Sequence, residues 1–124
     1  MRRHKRHAFS LIANFKNSAR GLMEVTRNER PMQVEAVCFV LMTALLAVLE
    51  MPFGYKLILF VSLFLPIFTE LLNSAIERTV DLVTLEYHDL AKTAKDAASA
   101  AVLISLVVTG TIWAGVFYIV YFGG

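Results

Sequence analysis

Apolar residues dominate three stretches of the chain, and polar residues gather in front of them and between them. From Ala8 to Met23 the apolar positions Ala8, Leu11, Ile12, Phe15, Ala19, Leu22 and Met23 recur at i, i+3, i+4, i+7 spacing, with Lys16 and Arg20 among them. This pattern predicts an amphipathic helix lying on a membrane surface. Asn28-Glu29-Arg30-Pro31 reads as a turn that redirects the chain into the bilayer. Gln33 to Leu49 is the first spanning candidate. Its uncharged core, Ala36 to Leu49, is shorter than the roughly 20 residues a spanning helix needs, so Glu35 and Glu50 must meet interfaces or partners. A short turn at Met51-Pro52-Phe53-Gly54-Tyr55-Lys56 sends a second spanning helix back alongside the first. Pro66 lies inside that second helix, where it frees the carbonyl of Ser62 and predicts a bend. Residues 83–96 form a short polar connection, helical in part. Ala97 to Phe122 carries no charge and is long enough to span. In sum, the pattern predicts an all-α membrane protein of one domain, residues 1–124. It has a surface helix over about 8–27 and transmembrane helices over about 33–50, 55–80 and 97–122.

One polar group departs from this simple alternation of greasy and wet segments. At 100° per residue, Glu70, Asn73, Glu77 and Asp81 fall in one stripe about 80° wide on a single helix. Leu71, Leu72, Ala75, Ile76 and Val80 occupy the other side. A carboxylate at the end of a membrane-length apolar run is costly, about 3 kcal/mol at the bilayer centre. It therefore marks a candidate site facing protein, water or a cation; the alternative is a solvated helix end.

Composition agrees with the pattern. The chain is 57% hydrophobic over 124 residues, too apolar for an ordinary soluble domain and too small to enclose a large cavity alone, so an oligomer is expected. The single cysteine, Cys38, cannot form an internal disulfide, and the basic start lacks the apolar stretch of a signal peptide. Charge distribution sets the orientation. Eight of the 12 Lys and Arg precede Pro31, and none lies at the C-terminus. The positive-inside rule thus places the N-terminus and the polar connection in the cytoplasm. Trp113, Tyr118 and Tyr121 read as depth markers, and Gly110 with Ala114 as a weak helix-contact signal.

Acids beside an amide and a lysine suit metal-assisted phosphoryl transfer. Two carboxylates can hold Mg²⁺, a third can accept the proton of an attacking hydroxyl, and a lysine can hold phosphate. Glu29, Glu77 and Lys95 can meet if the turn after the surface helix packs on the later helices. No P-loop, dinucleotide fingerprint or protein-kinase signature is present, and His4, His7 and His88 are too dispersed for a zinc site. From the residues alone, the chain is a small oligomeric membrane protein with a cytoplasm-facing acidic site.

At Glu70-Leu-Leu-Asn-Ser-Ala-Ile-Glu77, Glu86-Tyr87-His88 and the run from Ala94 to Val102, the sequence closely resembles the prokaryotic diacylglycerol kinase family. The resemblance extends from about Phe9 to the C-terminus and includes Gly21-Leu22, Asn28-Glu29, Glu35 and Trp113. It implies a homotrimer of three-helix subunits, with composite sites at subunit interfaces of the bacterial inner membrane. It implies transfer of the γ-phosphate of Mg-ATP to diacylglycerol, giving phosphatidate; the sister activity is undecaprenol kinase. By resemblance, Glu70 is the general base and Asn73 orients the base or the phosphate. Glu29 and Glu77 bind the metal, Lys95 holds phosphates, and Asp96 fixes Lys95. Glu86, Tyr87 and His88 match the nucleotide-contacting stretch, and Glu35, Ser99 and Trp113 match positions lining the lipid site. Asp81 is given a structural role. Better-known members carry an arginine and an aromatic where this chain has Ser10 and Asn17, leaving Arg6 or Lys16 to substitute, and Pro66 also departs from the pattern. A small cation or proton transporter would fit the size and the acids, but it gives no role to Lys95-Asp96 or to Glu86-Tyr87-His88.

Overall fold

The computed structural model describes residues 10–123. The basic residues 1–7, the predicted helix start at Ala8 and the candidate Arg6 lie outside the described residues. Five helices follow in order: α1 (Leu11–Asn28), α2 (Arg30–Val48), α3 (Phe53–Ser62), α4 (Phe64–Val83) and α5 (Asp89–Tyr121). No strand occurs among the described residues. Three segments are long and apolar enough to cross a membrane: Arg30–Val48, Phe53–Val83 and Asp89–Tyr121. The chain is thus a multi-pass membrane protein. The 33 residues of α5 at ~1.5 Å each reach about 50 Å, well beyond a hydrocarbon core of roughly 30 Å. Its first turns therefore stand outside the apolar layer, and the polar connection expected over 83–96 is helical from Asp89 onward.

Local chemistry explains the helix boundaries. Ser10 caps α1, its hydroxyl accepting from the Ala13 N–H at 3.3 Å. The arginine-to-serine departure at this position therefore has a structural use. All three prolines sit at helix starts: Pro31 in the first turn of α2, Pro52 as the cap before α3, and Pro66 in the first turn of α4. There the missing N–H has no intrahelical partner to lose.

The second span is accordingly two helices meeting at Leu63, one turn before Pro66 rather than at it. The freed Ser62 carbonyl is taken up by α5: the Thr109 hydroxyl donates to it at 3.2 Å. The Ser62 hydroxyl donates to the Leu59 carbonyl at 2.7 Å and accepts from the Trp113 ring N–H at 3.1 Å. Around this joint Leu46, Leu59 and Val116 form the buried apolar core, with Trp113 and Phe117 stacked beside it. Replacing Trp113 by Phe keeps most of the packing and removes one donor. We expect a loss on the order of 1 kcal/mol, read as a lower thermal midpoint in detergent. An unchanged midpoint would mean that the bond adds nothing.

Helices α4 and α5 make the most extensive pairing, with α2 against α4. Thr69 and Ser105 share a hydroxyl hydrogen bond of 2.8 Å across the α4–α5 seam. Much of the remaining apolar surface faces outward, including Val37, Val40, Leu41, Leu103, Ile104 and Val107.

Candidate active site

Helix α4 organises two groups of polar side chains. The first lies where α2 and the α1–α2 joint pack on it. Glu70 is buried, 5% exposed, although it sits in an apolar helix. Asn73, one turn on, presents its amide to that carboxylate, and its Oδ1 is buried without a hydrogen-bond partner. The carboxylates of Glu35, Glu29 and Glu77 all lie close enough to act electrostatically on Glu70. Three elements thus bring four acids together.

Glu29 reaches this group because the expected four-residue turn is a single-residue joint. Glu29 is at once the C-cap of α1 and the N-cap of α2, in extended conformation (φ −120°, ψ 121°). Its N–H donates to the Val25 carbonyl at 2.9 Å, and its carbonyl accepts from Gln33 at 3.1 Å. The neighbouring side chains brace the joint: the Asn28 amide donates to Glu24, and the Gln33 amide to the Arg27 carbonyl at 3.0 Å. So held, the Glu29 carboxylate accepts from the buried Ser74 hydroxyl and from Arg78, through Nη2 at 2.9 Å and Nε at 3.2 Å.

The second group lines an open cleft of about 470 Å³ between the end of α4 and the start of α5. Asp81, Glu86, Tyr87, His88, Lys92, Lys95 and Asp96 all border it. His88 caps α5, its Nδ1 accepting from the Leu90 N–H at 3.1 Å. The Tyr87 hydroxyl donates to Asp89 at 2.9 Å, which holds the phenol proton and raises its pKa above the ordinary value. Lys95 pairs with Asp81 at 2.6 Å, and Asp96 pairs with Lys92.

These pairs correct one expectation: Asp96 does not fix Lys95. Adjacent helix residues point about 100° apart, whereas i,i+4 neighbours meet. Asp96 therefore turns back to Lys92, and Lys95 finds its acid across the helix pair. Within the chain Lys95 bonds to neither Glu29 nor Glu77, but its partner Asp81 lies one turn beyond Glu77 on the same stripe. Ser99 follows Lys95 by one turn of α5 and is exposed. Trp113 is elsewhere, some 20 Å further along the same helix axis at ~1.5 Å per residue, and its hydrogen-bond partner is Ser62.

Comparisons with known proteins identify the family. The model of the family described as prokaryotic diacylglycerol kinase matches residues 16–117. The chain belongs to this family. Undecaprenol kinase of Bacillus subtilis is 38% identical over 108 residues, 86% of each chain. Diacylglycerol kinase of Escherichia coli K12 is 38% identical over 96 residues, 77% of this chain and 79% of that one. Diacylglycerol kinase of Haemophilus influenzae is 35% identical over 116 residues, 87% and 92% respectively. This prokaryotic diacylglycerol kinase family member is an enzyme, a membrane lipid kinase, and the transporter alternative has no support. A lipid substrate and ATP as phosphate donor follow from the family.

Among the described residues no group of three His, Cys, Asp or Glu is poised to hold a metal ion. Mg²⁺ does not need one in a kinase, where one or two carboxylates are completed by water and substrate phosphates. Glu77 is exposed and accepts no hydrogen bond from the described residues, but both oxygens of Glu29 are occupied. Arg78 sits on one of these two carboxylates, Glu29. Ser74 and Arg78, the two partners of Glu29, are the cluster residues to which the sequence reading gave no role. The signal for each was its place on α4 next to the stripe.

Proposed function

We propose that this kinase phosphorylates the hydroxyl of diacylglycerol at the cytoplasmic face of the bacterial inner membrane, working as a homotrimer. Glu70 takes the proton of the lipid hydroxyl, whose oxygen attacks the γ-phosphorus of ATP. The bond to the β-phosphate oxygen breaks and ADP leaves, giving phosphatidate. Glu29 and Glu77 are the carboxylates that would hold Mg²⁺, which when bound neutralises phosphate charge. Asn73 orients Glu70 or the transferring phosphate, and its unpaired Oδ1 leaves capacity for a further donor. Glu86, Tyr87 and His88 contact the nucleotide in the cleft, with Lys95 on its phosphates and Asp96 at its edge. Glu35 and Ser99 flank the lipid headgroup, with Trp113 deeper along the apolar part.

The observation that carries this proposal is the arrangement along α4. A buried carboxylate ringed by acids sits toward the membrane, and a cleft with two lysines lies three turns further out on the same face. The oligomer rests on the family resemblance; the outward apolar faces of α2 and α5 suit lipid and neighbouring subunits alike. A second acceptor, undecaprenol, is favoured by the Bacillus subtilis relative, which matches a larger share of the chain than the Escherichia coli kinase at equal identity.

Labelled ATP with the purified protein in mixed micelles distinguishes the acceptors. We expect label in phosphatidate with diacylglycerol present, and at most slow labelling of undecaprenol. Preferential labelling of undecaprenol would transfer the assignment to that lipid.

A further inference from the structure

The cationic side chain that contacts a proposed metal ligand, Arg78, has no part in the chemistry set out above. Arg78 lies one residue after Glu77 and one turn after Ser74, and it places its guanidinium on Glu29 through two N–H groups. The other Glu29 oxygen is held by Ser74, a residue only 1% exposed. A carboxylate offers about four lone-pair sites; Arg78 takes two on one Glu29 oxygen and Ser74 one on the other, which leaves a single site for a metal. The Ser74 hydroxyl can remain, because it donates to one oxygen only and carries no charge. The guanidinium cannot, since it occupies the lone pairs of the other oxygen and repels a second cation. Arg78 has room to leave: its side chain is 48% exposed, whereas that of Glu29 is 23% exposed.

We infer that Arg78 is an internal counter-cation that fills the Glu29 carboxylate until a divalent metal displaces it. It acts as a positioning residue that keeps Glu29 aimed at α4 and lowers the site's affinity for metal alone. This follows from the geometry at Glu29 and rests on the assignment of that residue as a metal ligand. The two are separable by experiment.

The test is Mn²⁺ binding to the full-length protein in detergent without nucleotide, followed by the loss of the free Mn²⁺ electron paramagnetic resonance signal. An exposed ion pair of this kind corresponds to roughly two- to fivefold in affinity. We therefore expect Arg78→Ala and Arg78→Gln to bind Mn²⁺ about two- to fivefold more tightly, and Arg78→Lys to change less. Arg30→Ala serves as the control. It removes the same charge one residue from Glu29, and Arg30 makes no hydrogen bond to that carboxylate; its effect should be clearly smaller. Unchanged or weaker binding in both neutral Arg78 variants, or an equal gain in Arg30→Ala, overturns the exchange. If Glu29→Gln binds Mn²⁺ as well as the parent, the ligand assignment itself fails, and the exchange with it.

Discussion

Glu70→Gln is expected to lower the rate of lipid phosphorylation by on the order of 10²–10⁴-fold, the contribution typical of one positioned proton-transfer group. The substitution keeps the shape of the side chain and removes its capacity to accept a proton. Glu70 is buried at the meeting of α2, α4 and the α1–α2 joint, with Asn73 against it and three further acids nearby. An amide at this position relieves like-charge repulsion, so the variant should fold at least as stably as the parent. The pairing of lost turnover with retained or raised thermal stability separates a catalytic role from a structural one. Retention of most of the activity would remove Glu70 from the role of base, and joint loss of activity and folding would make it a packing residue.

Lys95→Met should have the next largest effect. Methionine matches the stem of lysine and deletes the charge, so packing changes little. Removing one preorganised group that stabilises developing charge costs on the order of 10²–10³-fold in turnover, and loss of a phosphate contact should also raise the KM for ATP. The structure adds a finer expectation. Lys95 is held by Asp81 at 2.6 Å rather than by its neighbour Asp96, so Asp81→Asn should raise the KM for ATP more than Asp96→Asn does. Steady-state kinetics against ATP at saturating lipid check both statements. Wild-type kinetics in Lys95→Met would take the phosphate role away from this residue.

Much of the architecture was legible because lipid imposes a simple rule: a segment that crosses must be apolar and must satisfy its own backbone. The run Ala97–Phe122 could scarcely be anything else. Pro66 announced a broken helix, and even the identity of the freed carbonyl, Ser62, could be read from the i−4 rule. What could not be read was who answers it. Thr109 and Trp113 are 47 and 51 residues away from Ser62, and nothing in local spacing links them. Trp113 accordingly looked like a depth marker, while its ring N–H seals the break.

The site divides in the same way. Periodicity alone put Glu70, Asn73, Glu77 and Asp81 on one face, because helical geometry is a local property. The resemblance paired Lys95 with Asp96, whereas side-chain direction on a helix favours partners three or four residues away or on another element, and Lys95 meets Asp81. The α1–α2 junction was also read too loosely. Asn28 to Pro31 has the composition of a turn, but Pro31 fits the first turn of a helix equally well. The structure uses it that way and leaves Glu29 as the whole connection.

Because Glu29 belongs to two helices at once, the length of that junction is fixed as firmly as its chemistry. One residue inserted between Asn28 and Arg30 would add about 3.3 Å of extended chain and re-aim α2 against α1. The carboxylate would swing away from Ser74 and Arg78, and Met32, now buried, would lose its packing. At this point the chain should accept an exchanged side chain more readily than an added one, so gaps between sequences should fall in the α2–α3 hairpin instead.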